Sequence, residues 1–527
     1  MLLELVLFST LSLCVSASDV LYQDVETEEG LVRGSNVDRQ DVFSYYGIPY
    51  ASAPTGADRF KAPLPPTKRH ELFNANIRNI ICPQRPIFSD TFLQLNRTID
   101  CLRLNIFTPT TIEKKLPVMV YIHGGGWQEG YGMIFNPSSL AQRGIIAVNI
   151  NYRLGVHGFL CLGTEFAPGN AGYKDQAAAL RWIRSNIAKF GGDPEKVTLA
   201  GSSSGSFSVE LHMLSDMSRG LFSQVILESV SAISDSGFSA PLDTAEAFLN
   251  QFGITTGKNV TQLEYLYSSL SDAALNQGLR GANGLLGFMT CLETYGSKSE
   301  RFLDRKPADI IREGDYEKRP YLTGVTAFEG IEIYSKPSIE LHELVPSNIN
   351  FSSEESRRDA AKAIYDFYFP TGEVTDEGIV DYYTDRIFVY PSFTSAKAHA
   401  KNSLPVYVYL FTYNGTVNLP PKSQVSVKGP GHVAHSLYIQ DYDYQELYKN
   451  MTADDYVMQN RLREMWANFV KFGEPIPSTT DLLPVSWPPL TPGADGNQYL
   501  TIDLQMKYGE DPLKRRYQFW SRLYGSQ

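Results

Sequence analysis

Apolar residues in this chain are concentrated in short runs: Met119 to Ile122, Ile145 to Ile150, Val197 to Ala200, Gln224 to Leu227, Tyr321 to Val325 and Val406 to Thr412. Each is short enough for a strand and is followed by a change of pattern. Segments from Ala177 to Phe190 and from Tyr456 to Phe472 instead place their apolar residues at helical spacing. Strands alternating with helices predict an α/β protein with a large, mostly parallel central sheet flanked by helices. No internal repeat, low-complexity tract or long linker divides the chain, so one domain is expected over residues 18–527.

Two of these strands end in glycine motifs. Val197-Thr-Leu-Ala runs into Gly201-Ser-Ser-Ser-Gly205, and a helix-compatible stretch follows from Ser206 to Leu214. Glycine at both ends of G-x-S-x-G permits a sharp strand-to-helix turn that lifts the central side chain, Ser203, clear of the backbone. Alone the pattern is weak, because Gly and Ser also build ordinary turns. A second motif lies upstream, where Leu116-Pro-Val-Met-Val-Tyr-Ile breaks into His123-Gly-Gly-Gly-Trp127. Backbone N–H groups of Gly125 and Gly126, joined by that of Ser204, can point at an oxygen that gains negative charge when a serine attacks a carbonyl. In open α/β sheets chemistry gathers at the carboxyl ends of strands, where both motifs fall.

A serine hydroxyl becomes a nucleophile when a base takes its proton, and the base must be oriented by an acid. The order expected after such a turn is Ser, then Asp or Glu, then His. Glu329 follows the strand-like Tyr321 to Val325 and precedes a glycine, which makes it the acid candidate. Two histidines compete as base in Gly429-Pro-Gly-His432-Val-Ala-His435, and spacing does not separate them. A metal reading of this His-x-x-His pair has no accompanying ligand cluster.

Composition narrows the classes. Hydrophobic residues make up 43 % and charged residues 20 % of 527, with 31 Tyr and 28 Phe, enough for a large core. A net charge of −11 argues against nucleic acid as partner. Residues 1–17 carry a short apolar core ending in Val15-Ser-Ala17, the pattern of a cleaved signal peptide, although Glu4 stands where a basic residue is usual. No later stretch is apolar for the 18 or so residues of a membrane span. Sequons at Asn96, Asn259, Asn350, Asn414 and Asn450 suit a secreted, glycosylated surface. Beyond the leader remain Cys82, Cys101, Cys161 and Cys291, which allow three pairings.

These residues together resemble the type-B carboxylesterase and cholinesterase family of α/β hydrolases, and most closely its secreted invertebrate carboxylesterases. The likeness spans nearly the whole chain, through Tyr46-Gly-Ile-Pro-Tyr-Ala51, Asp100-Cys-Leu-Arg-Leu-Asn105, the His123 to Trp127 loop, Asn151-Tyr-Arg-Leu-Gly155, the Ser203 turn and Met465-Trp-Ala-Asn-Phe469. It implies an α/β-hydrolase fold and a carboxylic-ester hydrolase that uses no cofactor and takes a small-molecule ester. Ser203 is then the nucleophile, Glu329 the acid, and Gly125, Gly126 and Ser204 the oxyanion donors. The family pattern has a glycine three before the base and an aromatic-aliphatic pair six and seven after it, which selects His432 through Gly429, Tyr438 and Ile439. The same resemblance pairs Cys82 with Cys101, leaves Cys161 and Cys291 either free or bonded to each other, and puts Ser229 beside the acid, able to hydrogen-bond Glu329.

The departures bear on substrate. Ser202 stands where the family usually has a glutamate before the nucleophile, Ile99 where a glutamate would pair with Arg59, and His435 where an acid follows the base by three. No tryptophan lies between Pro83 and Asp100, where cholinesterases carry a choline-stacking ring. Neutral, apolar esters are therefore expected over choline esters. The rival readings are a catalytically silent adhesion or signalling ectodomain and a dedicated hormone or pheromone esterase.

Overall fold

Thirteen strands form one sheet: β1 (Tyr22–Thr27), β2 (Gly30–Arg39), β3 (Val42–Pro49), β4 (Phe73–Asn74), β5 (Arg103–Pro109), β6 (Leu116–Ile122), β7 (Ile146–Ile150), β8 (Gly192–Ser202), β9 (Gln224–Glu228), β10 (Tyr321–Thr326), β11 (Val406–Phe411), β12 (Leu500–Ile502) and β13 (Lys507–Tyr508). The structure, a computed structural model, describes residues 20–110, 115–278, 287–333, 341–402, 405–419, 425–493, 498–509 and 511–525, so the expected leader lies outside the described residues. Spatially the strands run β1-β2-β3-β5-β7-β6-β8-β9-β10-β11-β12-β13, with β4 beside β2. From β7 to β12 every neighbouring pair is parallel, while β1, β2, β3, β5 and β13 pair antiparallel along this order. The expected mostly parallel sheet is thus its centre, and the antiparallel strands lie at its edges.

The central strands are apolar throughout because both faces are covered. Val118, Val120, Ile122, Val197, Leu199, Val225 and Leu227 face one core, which includes Leu180 and Ile183 of helix α1 (Ala171–Asn186) and Phe207 and Leu211 of α2 (Ser204–Leu214). The alternate residues Met119, Tyr121, Ala200, Ile226, Leu322 and Tyr409 face a second core. There they meet Leu437 and Tyr438 of α3 (Ser436–Ile439) and Leu462, Met465 and Trp466 of α4 (Ala453–Phe472). α4 is well defined at both ends: Thr452 caps its first turn through the Asp455 N–H, and Gly473 closes it with φ 71°.

Cys82 is bonded to Cys101 and Cys161 to Cys291, which settles the second pair as a disulfide. Arg59 lacks a glutamate at position 99. It donates instead to the carbonyls of Tyr267 (2.7 Å) and Ser268 (2.8 Å), with Asp272 3.5 Å away. All five sequon asparagines are exposed. Among the described residues, no helix is long and apolar enough to cross a membrane.

Candidate active site

Ser203 sits between β8 and α2 with φ 56° and ψ −128°, a conformation that costs a non-glycine residue about 1–3 kcal/mol. The surroundings enforce it. The Ser203 N–H donates to the Glu228 carbonyl at 2.9 Å, and the Phe207 N–H donates to the Ser203 carbonyl at 3.1 Å. The flanking glycines are steric requirements. A Cβ on Gly205 would lie 2.1 Å from the Ile122 carbonyl oxygen, and one on Gly201 would lie 2.7 Å from the Gly205 backbone.

The loop after β6 packs directly on this turn. A Cβ on Gly124 would come within 2.8 Å of the Ser203 Cβ, and the Trp127 N–H donates to Ser204 Oγ at 3.3 Å. Gly125 and Gly126 have φ of 110° and 60°, so the loop curls back on itself, and the Gln128 N–H donates to the Gly125 carbonyl. Among the described residues nothing accepts from the N–H groups of Gly125, Gly126 or Ser204. Free N–H groups on the loop packed against Ser203 are the kind of donor a developing oxyanion needs, each worth about 3 kcal/mol where it is aimed at one. Gln84 fixes the loop from outside, donating to the Gly130 carbonyl at 2.9 Å and accepting the Gly130 N–H at 2.8 Å.

Glu329 follows β10 and is fully buried. Its Oε1 accepts the Thr326 N–H at 2.6 Å, and its Oε2 lies 2.6 Å from His432 Nδ1. The acid and base loops are joined again where the Phe328 N–H donates to the Pro430 carbonyl, and the Phe388 ring packs 4.9 Å from the His432 ring. With Nδ1 on the acid, Nε2 is left to exchange a proton. His435 is placed differently: fully buried, against Tyr409 (5.5 Å) and Phe411 (6.0 Å), with neither ring nitrogen hydrogen-bonded. Burial, with repulsion from His432 second, lowers it to about 3, so it stays neutral.

One expected contact is not made. Ser229 Oγ is buried without a hydrogen-bond partner, and Glu329 Oε1 accepts the Thr326 N–H. Ser229 contributes through its backbone instead, its N–H donating to the Gly324 carbonyl at 2.9 Å. Sequence reasoning also passed over Glu228, a fully buried carboxylate on the α4 side of the sheet, whose only outward signal was an acid ending an apolar strand. Among the described residues, no group of three or more His, Cys, Asp or Glu could hold a metal ion.

Comparison with known proteins agrees with the fold. Residues 22–520 match the Carboxylesterase family. Esterase FE4 of Myzus persicae is 31% identical over 92% of this chain and 90% of its own length. Para-nitrobenzyl esterase of Bacillus subtilis is 31% identical over 94% and 98%. Among solved structures, juvenile hormone esterase from Manduca sexta, with OTFP covalently attached, superposes with a TM-score of 0.82 at 26% identity, covering 96% of this chain and all of that one.

Proposed function

Because this chain belongs to the carboxylesterase family and is a carboxylic-ester hydrolase, we propose that it works through an acyl-enzyme on Ser203. His432, held by Glu329, takes the Ser203 proton as Oγ attacks the ester carbonyl. The tetrahedral oxyanion is received by the N–H groups of Gly125, Gly126 and Ser204. His432 then gives its proton to the departing alcohol. Water, deprotonated by the same histidine, attacks the acyl group and releases the acid. The observation that carries this reading is the 2.6 Å Glu329–His432 contact, together with the strained turn that presents Ser203 at the carboxyl end of β8.

We read the mature protein as a single domain over residues 18–527, secreted and glycosylated at some of its five exposed sequons. Two disulfides and an apolar leader ending in Val15-Ser-Ala17 support that placement. Its substrates are neutral esters with apolar parts. The likeness to juvenile hormone esterase favours a dedicated hormone esterase as the second reading. A panel of esters graded in acyl length and alcohol size, hydrolysed by the purified protein and by Ser203→Ala, tests both. Hydrolysis across the panel supports the general esterase, steep selectivity for one long apolar ester supports the second reading, and activity retained by Ser203→Ala contradicts the mechanism.

A further inference from the structure

Glu228 ends β9, in register with Ser202 on one side and Gly324 on the other. Residues in register on neighbouring strands share a face, so Glu228 stands beside the position where the family pattern usually carries its glutamate and this chain has Ser202. The missing carboxylate is thus supplied from the next strand. Its Oε2 accepts Ser436 Oγ at 2.6 Å and Tyr121 OH at 3.1 Å, and its Oε1 accepts Trp466 Nε1 at 2.9 Å. His435 Nε2 lies 3.8 Å from Oε2, where the family pattern would have placed a second acid.

These contacts join the parts of the proposed machinery. Tyr121 is on β6, two residues before the His123-Gly loop. Ser436 lies four residues past His432 and opens α3. The Glu228 carbonyl holds the N–H of Ser203 itself. We propose that Glu228 is a positioning residue of the catalytic centre, tying the turn that carries Ser203 to the loop that carries His432. The proposal rests on the triad reading above.

Among the described residues, the titratable groups around the carboxylate are Tyr121 from β6, Tyr409 from β11 and His435 from the base loop, and no lysine or arginine shifts it. Tyr409 is pushed up first by burial and then by the charges of Glu228 and Glu329. Glu228 is raised to about 7 by burial, a shift that its three donors oppose. Ionised, the carboxylate accepts all three donors. Protonated, it turns one oxygen into a donor, so the grip on Ser436 or Tyr121 must rearrange.

The test compares wild type, Glu228→Gln and Ser436→Ala by kcat and KM for an aryl ester across mildly acid to mildly alkaline pH, with pH-difference infrared spectra of the protonated carboxyl band. Glutamine keeps the shape: its oxygen can accept Trp466 while its NH2 donates to the two hydroxyls. Glu228→Gln should keep KM within about twofold and lose roughly ten- to a hundredfold in kcat, the scale of a small misplacement of reacting groups. The protonated-carboxyl infrared band that titrates near 7 in wild type should vanish, while the kcat step that belongs to the base His432 stays. Ser436→Ala removes a donor that favours the ionised form, so the titration of the band should move to higher pH. Wild-type kcat in Glu228→Gln, or a lowered kcat with the band intact, overturns the proposal. Should Glu228→Gln not fold, Ser436→Ala decides, and an unmoved band titration overturns it. Fluorophosphonate labelling of each variant keeps the two claims apart: an unlabelled Ser203 in wild type refutes the triad reading itself, whereas a labelled Ser203 with wild-type kcat in Glu228→Gln refutes only the role of Glu228.

Discussion

Replacing Glu329 by glutamine should silence the enzyme without loosening it, for a reason visible in two hydrogen bonds. Glu329 Oε1 accepts the Thr326 N–H at 2.6 Å, and Oε2 meets His432 Nδ1 at 2.6 Å. A glutamine has only one oxygen, and the Thr326 N–H cannot be turned into an acceptor, so the oxygen must stay with Thr326. The NH2 group is then forced onto His432 Nδ1. A donor facing Nδ1 selects the tautomer whose proton is on Nε2, and that imidazole cannot accept the proton of Ser203. In a serine protease the equivalent acid-to-amide change lowers kcat by about 10⁴, which corresponds to about 5.5 kcal/mol of barrier. The same scale is expected here, with KM little changed because the acid does not touch substrate. The assay is steady-state hydrolysis of an aryl ester by Glu329→Gln, beside a thermal melt to show that the fold is kept. A folded variant within tenfold of wild-type kcat would refute the tautomer argument.

Three further outcomes are expected. Removing the Cys161–Cys291 bond with serines should destabilise the protein by about 4–5 kcal/mol, as expected for a disulfide spanning 130 positions, more than removing Cys82–Cys101, which spans 19; denaturant melts check the order. Because Glu228 is raised from 4.5 to about 7, the folded state holds the proton more tightly, and stability is lost as pH rises through that window by on the order of 3 kcal/mol. The stability difference between wild type and Glu228→Gln, measured by urea melts at several pH values, should therefore shift against wild type from pH 4.5 to 7 and then level off. Neutral esters should exceed choline esters in kcat/KM, since the Glu228 carboxylate beside Ser202 is fully buried and already accepts three hydrogen bonds, and no tryptophan lies between Pro83 and Asp100; equal values for acetylcholine and an uncharged ester of its size would contradict this.

The central strands were legible in the sequence because burial on both faces makes them continuous apolar runs, as in Val406 to Phe411. The edge was not. β2 alternates between half-buried and buried residues and is mostly exposed at its end, so Gly30 to Arg39 carries no such run. The turn that carries Ser203 and the glycine loop after β6 could be found because glycine is demanded there by backbone contacts, which leave a trace in the sequence. The choice between His432 and His435 left none in the residues themselves. Both lie in one short loop, and only the packing of α3 sends His435 under Tyr409 while His432 reaches Glu329. Ser229 was misjudged for a related reason: the resemblance implied a hydrogen bond to Glu329, but its hydroxyl is left without a partner, while Glu329 Oε1 accepts the Thr326 N–H, which depends on where that backbone turns. The pairing of Cys161 with Cys291, 130 positions apart, is likewise a property of the packed chain.

The central claim is that Ser203 alone carries the acyl group. A fluorophosphonate that forms a stable phosphonyl-serine, followed by proteolysis and mass mapping, tests it most directly. One label per chain on Ser203, together with loss of both label and ester hydrolysis in Ser203→Ala, is the predicted result. A label on Ser202 or Ser204, or hydrolysis at the wild-type rate by Ser203→Ala, would contradict the account.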